Sequence, residues 1–256
     1  MLTKTMASVL MLTMVFAFST TVNAQESEDY NMWEDMMFTP DYTQLKTLGT
    51  NMRKHNETYH KEGPYNAMVY NITTGPNAGK MIWQMGSMMF KHNDTRPSDG
   101  GHDEDWRDNV MPYIKKIHTV EYWSEDAKKS NVSMLAGEEV THPILFIRYF
   151  EIEEGHGYTM NNHFKQVSET LKSMEGDNPW GLYYNDFLQG DLGRHVATVS
   201  FYKNWAEFDK DGPSFKDAYE KLYGENSWDT FLDTRDDTFS NRWDEVWEYN
   251  KNLSGD

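Results

Sequence analysis

The chain has 256 residues, 41 acidic against 24 basic, and a formal net charge of -17. A surface of that sign repels phosphate backbones, which argues against a nucleic-acid partner. The chain is 38% hydrophobic and 14% aromatic, enough to fill a core, and it has no cysteine; disulfides, thiolate nucleophiles and Cys-ligated metals are therefore excluded.

Residues 1–24 read as a signal peptide. Lys4 gives a positive start, Met6 to Phe18 is an apolar run too short to cross a bilayer comfortably, and Val22 and Ala24 place small residues before Gln25. The expected location is periplasmic or secreted, with no membrane anchor after cleavage. A strand is expected over 30–39 ("YNMWEDMMFT"), then a helix with Leu45, Leu48, Met52, His55 and Tyr59 on one face. The stretch 62–88 reads as a hairpin with Gly75 and Gly79 in its turn. After "RPSDGGHDEDWRD" (96–108), a second helix would carry Trp106, Val110, Tyr113 and Ile117, and "HTVEYW" (118–123) would be a closing strand. Residues 124–142 are polar and read as a linker.

The series then recurs. "PILFIRYFEI" (143–152) is apolar on both faces, as in a strand covered on both sides. Met160, Phe164, Val167, Leu171 and Met174 mark a helix, and 177–202 a second hairpin around Gly190 and Gly193. Short helices are expected between Asn204 and Asn241, and "DEVWEYN" (244–250) closes the copy, sharing Glu-Tyr with the first closing strand. Gly75 and Gly190 stand 115 residues apart and the helix stripes keep that offset, so the match of helix phase, hairpin and turns indicates an internal repeat. Each copy reads β-α-β-β-α-β, the ferredoxin-like unit, which covers one sheet face with helices and leaves the other needing a partner. The expected fold is therefore α+β: ferredoxin-like repeat 1 over 25–123, a linker over 124–142 and repeat 2 over 143–256, closing an α/β barrel of the dimeric type within one chain.

This element order resembles the dimeric α/β-barrel superfamily, which includes the antibiotic-biosynthesis-monooxygenase-like and chlorite-dismutase-like proteins. The stretches "RPSDGGHDEDWRDNVMPYIKKIHTVEYW" and "NPWGLYYNDFLQGDLGRHVATVSF" also resemble exported, uncharacterised Bacteroidetes proteins. The superfamily likeness implies a ligand between helix and sheet, and on that basis Tyr158, Asn162, His163, Tyr183, Arg194 and His195 are candidate ligand-binding residues. It also implies His163 as a haem ligand, a reading held behind the others; no cofactor is expected.

The loop 96–108 reads first as a helix start, with Asp103 or Asp105 as cap and the other acids near the positive end of the helix dipole. His102, Asp103 and Asp105 are weak candidates for a metal, and the spacing does not match a calcium loop. Seventeen methionines could suit copper, but Met32, Met36, Met37, Met85, Met88 and Met89 fall in or beside expected strands, where core filling accounts for them. No P-loop, dinucleotide fingerprint, nucleophile elbow or H-E-x-x-H occurs. The expected function is an exported protein binding a small aromatic or apolar ligand. The alternatives are a monooxygenase- or isomerase-like enzyme that needs no cofactor and, behind it, a haem enzyme. No catalytic residue is assigned.

Overall fold

The computed structural model describes residues 30–136 and 140–255; the expected signal peptide lies outside them. Repeat 1 contains β1 (Met32–Pro40), α1 (Leu45–Tyr59), β2 (Ala67–Ile72), β3 (Met81–Met88), α2 (His102–Asp105) and β4 (Ile114–Glu125). Repeat 2 contains β5 (Ile144–Ile152), α3 (Gly157–Ser173), β6 (Trp180–Asn185), β7 (Val196–Tyr202), α4 (Phe215–Tyr223), α5 (Ser227–Thr238) and β8 (Phe239–Tyr249).

All strand pairs are antiparallel. The strand order is β4-β1-β3-β2 in repeat 1 and β8-β5-β7-β6 in repeat 2, the same 4-1-3-2 arrangement twice. The two sheets join edge to edge. β2 meets β8 through Tyr70↔Tyr249, Asn71↔Glu248 and Ile72↔Trp247, and β4 meets β6 through Trp123↔Asn185, Ser124↔Tyr184 and Glu125↔Tyr183. The result is a closed eight-stranded barrel with no free sheet edge.

Strand alternation divides the side chains into two layers. In β1, Trp33, Asp35 and Met37 face the barrel interior, while Met32, Met36 and Phe38 join Leu48 and Met52 beneath α1. In β5, Leu145, Ile147 and Tyr149 face inward, and Phe150 packs with Phe164 of α3 and Phe239. β1 is covered on both sides for this reason, and so is β5 except at Arg148, which is exposed and pairs with Asp244. Met32, Met36, Met37, Met85 and Met88 are all core side chains.

Several elements depart from the sequence expectation. The second helix of repeat 1 is one short α-turn, followed by a π-turn over Trp106–Val110 and a 3-10 turn over Met111–Tyr113. Pro112 cannot continue a helix, and β4 starts at Ile114, so Ile117 lies in the strand and not on a helix stripe. Phe239 begins β8 directly at the end of α5. The Glu-Tyr match between the closing strands is out of register: the equivalent pairs are Glu121/Trp123 on β4 and Glu245/Trp247 on β8, where each Trp Nε1 donates to its own glutamate at 2.9 Å. The chain end crosses back to repeat 1, where Ser254 Oγ accepts from Val69 N–H at 3.0 Å and Asn56 Nδ2 donates to Leu253 O at 2.8 Å. Among the described residues, no helix is long and apolar enough to cross a membrane.

Candidate functional site

The barrel interior is not filled to its upper end. A cavity of about 610 Å³ opens there, walled by Trp33, Met68, Tyr70, Trp123, Leu145, Tyr183, Phe201 and Trp247. Val132, Ser133, Leu135 and Ala136, with Val140, Thr141 and His142, line it from the segment between the repeats. That segment therefore forms part of the cavity wall as well as joining the two halves. An eight-stranded barrel is wide enough for side chains plus one small ligand, and this volume lies in the usual range for small-molecule sites.

Two polar side chains of the cavity, Asp35 and Gln84, come from neighbouring strands at one level, with Glu121 buried beside them. Asp35 pairs with Gln84 on β3 and with Glu121 on β4, so the three side chains lie side by side on the inner face. Gln84 Nε2 donates to Asp35 Oδ1 at 2.9 Å. Burial raises the Asp35 carboxyl to about 7, with the negative charge of Glu121 adding to the rise and the Gln84 bond and Arg194 opposing it. Asp35 thus changes charge near neutral pH inside a wall of aromatic rings.

Arg194 anchors the interior beside this carboxyl. Its Nε donates to Glu121 Oε2 at 2.9 Å, its Nη2 donates to Tyr149 Oη at 2.9 Å, and its guanidinium carbon lies 4.0 Å from the centre of the Tyr149 ring. Nη1 stands 4.0 Å from Glu245 Oε1. One cation from repeat 2 therefore faces a glutamate from each closing strand. Its counterpart in repeat 1 is Lys80, which also follows a turn glycine and reaches Glu245 through Asn77: Lys80 Nζ donates to Asn77 Oδ1, and Asn77 Nδ2 to Glu245 Oε1, both at 2.6 Å.

Of the six candidate ligand residues, Tyr183 lies on the cavity wall, its ring edge-on to Trp33 with centroids 5.5 Å apart, and Arg194 lies in the barrel interior. Tyr158, Asn162 and His163 lie outside the barrel, and His195 immediately precedes β7. Tyr158 is 86% exposed, and Asn162 is also exposed, both on α3. His195 Nδ1 accepts from the Ile152 N–H at 3.0 Å, a structural bond between strands. His163 is buried between helix and sheet, stacked on Phe231 at 4.6 Å and edge-on to Phe164 and Phe239. Burial lowers its pKa to about 4. The helix–sheet space of repeat 2 is closed by these rings together with Phe150, Leu182 and Val196. The open cavity lies instead inside the barrel. The rings also leave a haem no face against His163, and the residues there do not fit that group.

Sequence reasoning missed Asp35 and Gln84. The available signal was the Glu34-Asp35 pair inside an otherwise apolar strand. The structure resolves the pair by alternation: Glu34 faces the helix layer, where Arg96 binds it, and Asp35 faces the barrel. It also missed a grouping outside the barrel, where His102 meets His55 and His60 under α1.

No family model matches this sequence, and no curated protein does. Solved structures do match. A candidate monooxygenase from Fusobacterium nucleatum subsp. nucleatum aligns over 88% of this chain and 94% of its own, with a TM-score of 0.53 and 9% identity. An anthrone oxidase-like protein aligns over 87% and 92% (TM-score 0.50, 10% identity), and a mutant chlorite dismutase from Candidatus Nitrospira defluvii in complex with cyanide over 87% and 91% (TM-score 0.52, 7% identity). The fold is the dimeric α/β barrel. At such identities the likeness of this barrel to its neighbours is one of architecture: nearly the whole length of each aligns, and the residues that line the interior are this chain's own.

Proposed function

We propose that the barrel binds a small aromatic or apolar molecule between its two sheets and that Asp35 exchanges a proton with the polar end of that ligand. The observation that carries this reading is a buried carboxyl, Asp35, bonded to Gln84 on the wall of an aromatic cavity; burial pushes its pKa up to about 7. Trp33, Trp123 and Tyr183 offer ring faces and edges to a planar ligand. Asp35 and Gln84 offer an acceptor and a donor at one place, enough to orient it.

1-Naphthol is a suitable probe, since its hydroxyl can donate to the Asp35 carboxylate. Trp33, Trp123 and Trp247 line the cavity, so binding is expected to quench tryptophan fluorescence saturably. A charge-assisted bond is stronger than a neutral one, so affinity should rise between pH 6 and pH 8 as Asp35 ionises. In Asp35→Asn, binding should persist without that rise. Absence of saturable quenching, or an unchanged pH profile in the variant, would refute the proposal.

The same carboxyl favours a second reading, an oxygenase or isomerase that works without a cofactor. Both reaction classes can begin with removal of a proton from an acidic C–H or O–H, and a base poised near the operating pH is the group that step needs. The fold likeness to the Fusobacterium candidate monooxygenase and the anthrone oxidase-like protein is consistent with it. Export to the periplasm or beyond is proposed on residues 1–24; sequencing the N-terminus of protein recovered from cells should give Gln25 first.

A further inference from the structure

Beneath α1 in repeat 1, outside the barrel, three histidines converge. His55 comes from the last turns of α1, His60 from the residue just after it and His102 from the first position of α2. One ring nitrogen of each lies within 4.8 Å of the other two. His60 Nε2 and His102 Nε2 are 3.0 Å apart. His55 Nε2 is buried with no hydrogen-bond partner, and the His55 side chain is fully buried. An unpartnered polar atom in such a place calls for an explanation.

The outer nitrogens supply one. His55 Nδ1 bonds Asp105 Oδ2 at 2.8 Å, His102 Nδ1 bonds Asp103 Oδ1 at 2.8 Å, and His60 Nδ1 bonds the Tyr65 backbone carbonyl at 2.9 Å. Each acceptor favours the tautomer with the proton on Nδ1, which leaves the Nε2 lone pair of each ring free to bind. A metal-ligating histidine typically has its other N–H held by a carboxylate or carbonyl in this way. With both Nδ1 atoms donating outward, the Nε2 atoms of His60 and His102 face each other at 3.0 Å, a contact that a cation held by both would satisfy.

We propose that His55, His60 and His102 bind a divalent transition-metal ion through their Nε2 atoms, with Asp105, Asp103 and the Tyr65 carbonyl orienting the rings. Three imidazoles without thiolate or carboxylate ligands suit Zn²⁺ and its imidazole-preferring neighbours and disfavour Ca²⁺ or Mg²⁺. Nitrogens about 2.0–2.1 Å from such an ion sit roughly 3.3 Å from one another in a tetrahedron; the His60 and His102 nitrogens stand near that separation, and the His55 nitrogen lies within 4.8 Å of the other two. His55 and His60 are enclosed by Trp83, Trp106 and Tyr59, while the His102 side chain is 12% exposed. Ion entry and a fourth ligand such as water therefore come from the His102 side. The acids of the 96–108 stretch thus divide by role, with Asp103 and Asp105 serving the histidines and not the ion.

The proposal does not rest on the barrel cavity and is tested apart from it. The full chain, without an affinity tag, is titrated with Zn²⁺ by calorimetry, and Co²⁺ is added separately to read ligand-field absorption. One ion per chain is expected, with a rise in Tm and the intense visible bands of tetrahedral Co²⁺. Asp105→Asn should weaken Zn²⁺ binding by about 10-fold or more. His102→Gln, at the side of the cluster nearest solvent, should weaken it further, with an unchanged circular dichroism spectrum showing that the fold is retained. Failure of the wild-type chain to bind one Zn²⁺ saturably would overturn the site, as would equal affinity in His102→Gln.

Discussion

At the scale of single residues, two interior groups carry unequal burdens. Asp35 has a pKa of about 7 in the fold against 3.8 unfolded. Below 3.8 it is neutral in both states and costs nothing. As the pH rises toward 7 the unfolded chain gives up the proton more readily, and stability is lost at up to about 1.4 kcal/mol per pH unit. Asp35→Asn, which is neutral throughout, should therefore stabilise the protein by an amount that grows from pH 4 to pH 7 and then levels off. Urea denaturation at pH 5 and pH 8 checks this, with the larger gain expected at pH 8. Arg194 works in the opposite sense. It is buried against Glu121 and within 4.0 Å of Glu245, both fully buried. Arg194→Met would leave two carboxylates without their cation, and removing one partner of a buried pair costs about 3–5 kcal/mol. The midpoint of urea unfolding should fall accordingly.

At the scale of elements, strands buried on both faces explain what sequence could and could not show. The helix stripes of α1 and α3 were legible because one face is apolar and the other polar: Leu48 and Met52, then Phe164, are buried as the spacing requires. In a strand such as "MWEDMMFTP" both faces are largely apolar, so alternation alone does not say which face meets helices and which meets the barrel. Only the three-dimensional pairing shows that Glu34 turns to Arg96 on the helix side and Asp35 to the cavity. His163 shows the converse error: a helix-borne histidine beside Phe164 suggested a ligand pocket, but the neighbouring aromatic rings fill that space. The histidine cluster was hidden for another reason. His55 and His60 are five apart, a spacing that matches no helical ligand motif, and His102 arrives from a distant loop. β6 offers a test of the cavity at this scale. A Cβ at Gly181 would stand 2.5 Å from the Tyr183 ring, so glycine is what lets that ring lie back over the strand. Gly181→Val should push Tyr183 toward the cavity, weaken 1-naphthol binding, and cost about 1–3 kcal/mol of stability through overpacking.

For the molecule as a whole, the repeat and the barrel are one fact seen twice. Each half places its fourth strand against the second strand of the other, and each closing strand carries a Glu-x-Trp whose indole bonds the glutamate. Arg194 of repeat 2 then bonds Glu121 of repeat 1, so the interior charge network crosses the seam. Neither half can bury its inner face alone. Residues 25–125 expressed separately should be unfolded or self-associate, whereas the full chain should unfold in a single transition. Sedimentation of the half-chain checks this, and a stable folded monomer would contradict it. The central claim is that the cavity between the sheets, and not the helix–sheet space, receives the ligand. A crystal structure of the protein with 1-naphthol tests that most directly. The ring should lie against Trp33, Trp123 and Tyr183 with its oxygen on Asp35; density beside His163 instead, or an unfilled barrel at saturating probe, would contradict it.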